Sequence, residues 1–279
     1  MLTSLQNPLV KQFRKLHTAK ERHKQGLFLL EGTNLVTEAV AVAFPLQTVC
    51  CTERWQKNHL SLWNQLSQQC RTELVSEEII SAIATTINPD GVVAIASRSV
   101  VTHKIPFTGI VLVLETIQDP GNLGTIIRTA AAADVSGLWI SQDSVDLDHP
   151  KVMRASAGQW FRLPMQVSPD LLTTVNQAKT AGMQVISTLP TAEKTFWEVD
   201  WRKPSLILLG NEGAGLSNQL STTADMAVNI PLANQVESLN VAIATALMVY
   251  EAYRQRFQDK YGEIGSGEWE SGVPSSRSA

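Results

Sequence analysis

The strongest constraint on this 279-residue chain is a series of short, unbroken apolar runs, each followed by a segment with helical spacing. Ile110–Leu114 and residues 206–209 contain no polar side chain. Runs of that length and purity suit strands buried on both faces, as in a parallel sheet covered by helices. Residues 137–140, 163–167, 184–187 and 227–230 also read as strands. A stripe of Ile126, Ile127, Ala130 and Ala131, with residues 151–157, 171–181 and 239–256, reads as helices. This alternation specifies an α/β fold with a parallel sheet.

The first hundred residues repeat the alternation on a smaller scale. Residues 27–30, Leu46–Cys51, 74–75 and 91–96 read as strands. Leu35, Val36, Ala39, Val40 and Val42 mark one helix, and residues 53–69 a second, carrying Trp55, Leu62, Trp63 and Leu66. Ser76, followed by Glu77 and Glu78, opens a third by capping and helix-dipole logic. At roughly 150 residues per domain the length suits two domains. The boundaries fall at 1–100 for a small α/β domain and 107–260 for the parallel-sheet domain. A linker at 98–108 is punctuated by Pro106 and Gly109. Residues 262–279, poor in apolar side chains, form a disordered tail.

With 44% hydrophobic and 18% charged residues the chain can build ordinary cores. No signal-peptide pattern opens it, and no uncharged apolar run approaches the ~20 residues of a membrane helix. Its three cysteines cannot form the framework of a small secreted domain and contain no C-x-x-C. They read as idle thiols of a reducing compartment, so a cytoplasmic location is expected. The total charge of −3 hides an asymmetry. Residues 1–24 hold Lys11, Arg14, Lys15, Lys20, Arg22 and Lys24 against Glu21, a net +5 that leaves −8 elsewhere. Such a segment is either a solvated helix face or a phosphate-attracting patch.

Three segments follow apolar strands, where open α/β sheets bind ligands. In the first, Asp119-Pro120-Gly121 is turn chemistry, Asn122 suits a helix N-cap, and Arg128 lies among small and apolar residues. An isolated Arg there needs an acidic partner such as Asp134, or an anionic ligand. The second, residues 210–215, spaces its glycines as G-x-x-G-x-G, neither a dinucleotide fingerprint nor a Walker A loop. Those glycines imply close backbone approach to a ligand or several positive φ angles. Glu212 within it would repel phosphate. In the third, Ser238 suits the cap of a long helix and Asn240 sits in its first turn.

Taken together, Asp119-Pro120-x-Asn122-x-Gly124-x-x-x-Arg128, Gly210-x-Glu212-Gly213-x-Gly215, and Ile230-Pro231 through Ser238-Leu239-Asn240-Val241 resemble the three motifs of the SpoU (TrmH-type) RNA ribose 2′-O-methyltransferases of the SPOUT superfamily. Tyr250-Glu251-x-x-Arg254-Gln255 extends the match along the last helix, and residues 28–32 resemble the entry to the family's N-terminal substrate-binding domain.

The resemblance implies a deep trefoil knot, a homodimer with its site built across two subunits, and S-adenosylmethionine as methyl donor. It implies RNA as substrate, with ribosomal RNA favoured over transfer RNA, and no DNA, metal or membrane partner. Asn122, Arg128, Glu212, Ser238 and Asn240 fall on the family's catalytic positions. Thr188, Leu209, Gly210, Gly215, Ile230 and Leu239 fall on its donor-binding stretches. The family proposal makes Arg128 a general base. A guanidinium stays charged in proteins, so gripping an adjacent RNA phosphate is the more economical role. Two other classes stay open: a non-catalytic RNA-binding protein of the same fold, and a nucleotide-binding doubly wound enzyme.

Overall fold

The computed structural model describes residues 1–98 and 104–261. Part of the expected linker and the expected tail at 262–279 lie outside the described residues.

Asn7 caps helix α1 (Pro8–Lys15), and Thr18 caps α2 (Ala19–Gln25). Strand β1 (Leu27–Glu31), helix α3 (Thr33–Ala41) and strand β2 (Leu46–Cys51) follow as the apolar pattern predicts. The single helix expected over 53–69 is instead two, α4 (Glu53–Asn58) and α5 (Leu60–Gln69). His59 leaves helical geometry at φ −131° and ψ 44°. Asn and His are weak helix formers, and the His59 ring packs against Trp55 at a centroid distance of 4.9 Å. Strand β3 (Arg71–Leu74), helix α6 (Glu77–Ile83) and strand β4 (Val92–Ser97) complete this half. Ser76 caps α6 as expected, accepting from the Ile79 amide. The four strands form a mixed sheet in the order β1-β4-β2-β3, with β4 antiparallel to both its neighbours.

The second half comprises β5 (Ile110–Leu114), α7 (Pro120–Ala132), β6 (Gly137–Ser141), α8 (Pro150–Ala155), β7 (Met165–Ser168) and α9 (Leu171–Thr180). It continues through β8 (Gln184–Thr188), β9 (Lys194–Thr195), β10 (Ser205–Leu209), α10 (Asn218–Thr223), β11 (Met226–Asn229) and α11 (Val241–Tyr261). Seven parallel strands run in the order β7-β6-β5-β10-β8-β11-β9. The purest apolar runs, β5 and β10, lie side by side near the middle and are buried along their whole length. Each buried Leu, Ile or Val there contributes about 1.5–3 kcal/mol. Because all seven strands point the same way, the loops after β5, β8, β10 and β11 emerge on one edge.

The two sheets are joined by aromatic contacts and by ion pairs. Phe28 meets Trp160 at 5.3 Å and Phe44 meets Phe161 at 5.1 Å. Arg22 reaches Asp146 at 2.7 Å and Asp148 at 3.3 Å, while Arg98 reaches Asp148 at 2.9 Å. Arg154 pairs with Glu31 at 2.6 Å, and Arg162 with Glu38. Arg22 is therefore buried, with a side chain 1% exposed, and is no part of a solvated basic face. Lys11, Arg14, Lys15, Lys20 and Lys24 are exposed.

Candidate active site

Helix α7 starts at Pro120, and its cap is Asp119, whose Oδ1 accepts from the amides of Gly121 at 2.7 Å and Asn122 at 2.9 Å. The expectation that Asn122 caps this helix is thus corrected. Proline favours the first helical position, which puts the cap one residue before it. The correction matters chemically, because it frees the Asn122 side chain. Its Nδ2 donates to Glu212 Oε1 at 3.0 Å, and its Oδ1 accepts from Asn240 Nδ2 at 2.9 Å.

The same shift occurs at α11. Asn240 caps this helix in place of Ser238, its Oδ1 accepting from Ala242 at 2.9 Å and from Ile243 at 3.4 Å. Ser238 is exposed in the preceding loop. One amide thus caps a helix with its oxygen and holds Asn122 with its nitrogen.

Glu212 accepts from the backbone amides of Gln118 and Asp119, both at 3.3 Å, as well as from Asn122. Partial burial raises its carboxyl, but the donors from Asn122, Asp119 and Gln118 outweigh that and hold it below the ordinary glutamate value.

The glycine-rich loop is organised by Asn211. Its backbone pairs with Gly215 in both directions at 3.0 Å. Its Oδ1 accepts from the Gly213 and Ala214 amides, and its Nδ2 donates to Thr116 O at 2.8 Å. A Cβ on Gly210 would sit 2.2 Å from Gly215 C and Leu216 N. The close approach expected here is thus made by the chain to itself. Gly215 supplies the one positive φ of the loop, +73°.

Beside this network lies a cavity of about 390 Å³. Its wall includes all six donor-binding candidates, Thr188, Leu209, Gly210, Gly215, Ile230 and Leu239, together with Glu212 and Ser238. Thr188, at the end of β8 and paired with Val228 of β11, donates its hydroxyl to Leu208 O at 3.0 Å. Leu189, Val228 and Met248 add apolar surface. Asn229, also in the wall, donates Nδ2 to Ala192 O, while its buried Oδ1 has no hydrogen-bond partner among the described residues. Apolar walls, loop backbone and a spare acceptor fit a nucleoside bearing a flexible tail, and so fit S-adenosylmethionine.

Arg128 is not in this wall. It lies six residues beyond Asn122 on α7, about 9 Å along the axis and on a different face. Its side chain is exposed and makes no ion pair among the described residues, with Asp134 or any other group. One chain therefore brings together Asn122, Glu212, Asn240 and the adjoining Ser238, and leaves Arg128 outside. Asp119, Gln118 and Asn211 were not singled out by the sequence as site residues. The signal was available, since all three sit within or beside the first two motifs. The motif glycine Gly124 is explained by packing, because a Cβ there would lie 2.5 Å from Ala155 Cβ on α8.

Among the described residues no helix is long and apolar enough to cross a membrane, and no group of three or more His, Cys, Asp or Glu could hold a metal ion.

Comparison with known proteins agrees with this geometry. The SpoU rRNA Methylase family matches residues 109–250, and an MRM3-like substrate binding domain matches residues 7–94. An uncharacterized tRNA/rRNA methyltransferase of Synechocystis is 46% identical over 92% of this chain and 94% of its own. The 23S rRNA guanosine 2′-O-methyltransferase RlmP of Bacillus subtilis is 32% identical over 89% of this chain and 97% of its own. The crystal structure of an AdoMet-bound rRNA methyltransferase from Sinorhizobium meliloti superposes with a TM-score of 0.81 at 32% identity, covering 91% of this chain and 97% of that one. With these motifs, this fold and these relatives, the chain belongs to the SpoU rRNA methylase family, whose members are RNA 2′-O-methyltransferases that use S-adenosylmethionine.

Proposed function

We propose that this protein methylates a ribose 2′-hydroxyl of ribosomal RNA, of the 23S class named for its relative in Bacillus subtilis. The observation that carries the reading is the hydrogen-bonded chain Asn240–Asn122–Glu212 at the mouth of the 390 Å³ cavity. S-adenosylmethionine, held by Thr188, Leu209, Gly210, Gly215, Ile230 and Leu239, supplies a methyl group already activated on a sulfonium. The side chains then have two tasks, aligning the attacking oxygen and disposing of its proton. Asn122 is gripped from both sides, so its amide is a preorganised anchor for the ribose. Ser238, on the adjoining loop, orients the same sugar.

Arg128 grips the phosphate beside the target ribose, lowers the hydroxyl pKa through its charge, and leaves the proton to phosphate or solvent. Its separation from Asn122 in one chain favours delivery from a second copy, and hence a homodimer. The exposed Ile243, Leu247 and Tyr250, at i, i+4 and i+7 on α11, offer the apolar stripe such an assembly would cover.

Residues 1–100 serve as the RNA-substrate domain and 107–260 as the methyltransferase domain. A trefoil knot in the latter is favoured by the match of residues 109–250 to the SpoU rRNA Methylase family. Activity on ribosomal RNA and three unbridged cysteines favour the cytoplasm.

The test is transfer from methyl-labelled S-adenosylmethionine to undermethylated ribosomal RNA, with transfer RNA alongside. Label recovered as 2′-O-methyl nucleoside from ribosomal RNA is expected. A protein that binds the donor yet labels neither RNA refutes the reading.

A further inference from the structure

A second cavity, of about 600 Å³, opens between the two sheets on the same strand edge, beyond the ends of β6 and β7. Its back is aromatic, formed by Phe28 and Trp160. Its rim carries the amide of Gln142, the hydroxyls of Ser141 and Ser144, and Val167, which is 52% exposed. The carboxylates of Asp146 and Asp148 in its lining are balanced by Arg22 and Arg98. Arg98 Nη1 is buried there without a hydrogen-bond partner among the described residues.

These features discriminate between ligands. Two guanidiniums facing two carboxylates leave no excess positive charge to hold a phosphate, and His23, also in the lining, lies 3.6 Å from Asp146. An aromatic and aliphatic back with a polar rim suits a neutral planar group that presents hydrogen-bonding edges. A nucleobase pulled out of its stack is such a group.

The segment Thr116–Asp119 separates this cavity from the methyl-transfer site and touches both. Thr116 N donates to Ser141 Oγ at 2.7 Å and Ile117 N to Ser144 Oγ at 2.9 Å on one side. The next two amides donate to Glu212 on the other. Strands β6 and β10 lie two places apart in the sheet, about 10 Å, within the reach of neighbouring nucleotides.

We propose that this cavity receives one unstacked base of the RNA substrate, close in sequence to the nucleotide whose ribose is methylated, and that it contributes to choosing the target. The proposal rests on the methyltransferase reading above. It assigns to the cleft between the domains a base-recognition role separate from backbone contacts elsewhere.

The test starts from the segment of undermethylated ribosomal RNA that the full-length protein protects from nuclease. Short RNAs spanning it carry an abasic sugar at each position in turn, and binding and methyl transfer are measured separately. Loss of one particular base is expected to weaken binding roughly tenfold, with S-adenosylmethionine affinity unchanged by calorimetry. Val167→Trp, which fills the cavity from an exposed position, should impose a similar loss on intact RNA. The two losses should combine less than additively, since both remove the same interaction. Gln142→Ala should weaken binding in the same base-dependent way. Equal binding of every abasic RNA, wild-type affinity in Val167→Trp, or fully additive losses would each overturn the proposal. Base-dependent binding without methyl transfer would instead retain the cavity and refute the methyltransferase reading.

Discussion

Asn240 Nδ2 donates to Asn122 Oδ1 across 2.9 Å, joining residues 118 positions apart. The bond links the cap of α11 to the first turn of α7 and, through Asn122, to Glu212. It therefore separates two roles that a simple deletion would confuse.

Asn240→Asp keeps the capping oxygen and removes the nitrogen that holds Asn122. The melting temperature should stay near wild type while methyl transfer falls by about 10²-fold, the usual scale for losing one preorganised donor. Asn240→Ala loses both functions and should also destabilise the fold by about 1 kcal/mol. Thermal unfolding and kcat/KM on ribosomal RNA check both. A parallel loss of stability and activity in Asn240→Asp would reduce the bond to a structural one.

The position of Arg128 makes a second prediction. If a second copy delivers it, Arg128→Ala and Asn122→Ala are each inactive alone but complement when mixed as a heterodimer. One site then carries both defects and the other is intact, so about half the activity of a wild-type dimer returns. Co-expression with two affinity tags isolates the mixed species. Its inactivity would mean that Arg128 acts on its own chain's site. Arg128→Lys asks a further question, because near-normal turnover in that variant would make the bidentate fork irrelevant.

How much of this was legible beforehand depended on the range of the interaction. Leu46–Cys51 and Ile110–Leu114 are found where the apolar pattern puts them, because a buried strand is a local signal. The capping residues were displaced in both motifs, since Asp119 and Asn122, or Ser238 and Asn240, are equally good caps by type and only Pro120 tips the first choice. Strand β9 is two residues long and α10 is polar, so neither leaves a periodic trace. The sheet order, with β10 inserted between β5 and β8, is a tertiary fact with no local signature. The same holds for Arg22, whose partners lie 124 and 126 residues away. The membership of the Asn122–Glu212–Asn240 cluster was readable from the motifs. The absence of Arg128 from it was not.

The depressed Glu212 carboxyl predicts a pH dependence of stability. A glutamate whose folded pKa lies below its unfolded value, about 4.3, stabilises the fold above that unfolded value. The contribution fades as pH falls through the depressed folded value. Glu212→Gln should therefore be less stable than wild type at pH 7, with the difference shrinking in acid. Urea unfolding of both proteins at pH 7 and in acid below the unfolded value measures it. A difference independent of pH would mean that the charge on Glu212 does not contribute.

The N-terminal basic residues divide into two kinds, and their variants should behave oppositely. Arg22 is buried against Asp146 and Asp148, so Arg22→Ala removes the guanidinium from Asp146 and one of the two that face Asp148, which keeps Arg98. Removing one partner of a buried ion pair costs up to about 3–5 kcal/mol, and with Arg98 still facing Asp148 the loss should fall below that ceiling while still lowering the melting temperature. Lys11, Arg14 and Lys15 border a shallow concavity on the outer face of α1, and Lys20 is exposed on α2. Neutralising these four should leave stability unchanged and weaken RNA binding. The slope of log affinity against log salt should also fall, by about 0.7–0.9 for each phosphate that is no longer neutralised. Titrations of wild type and the fourfold variant at several salt concentrations read that slope directly. Identical slopes would show that this face does not touch the RNA backbone, whatever the affinity does.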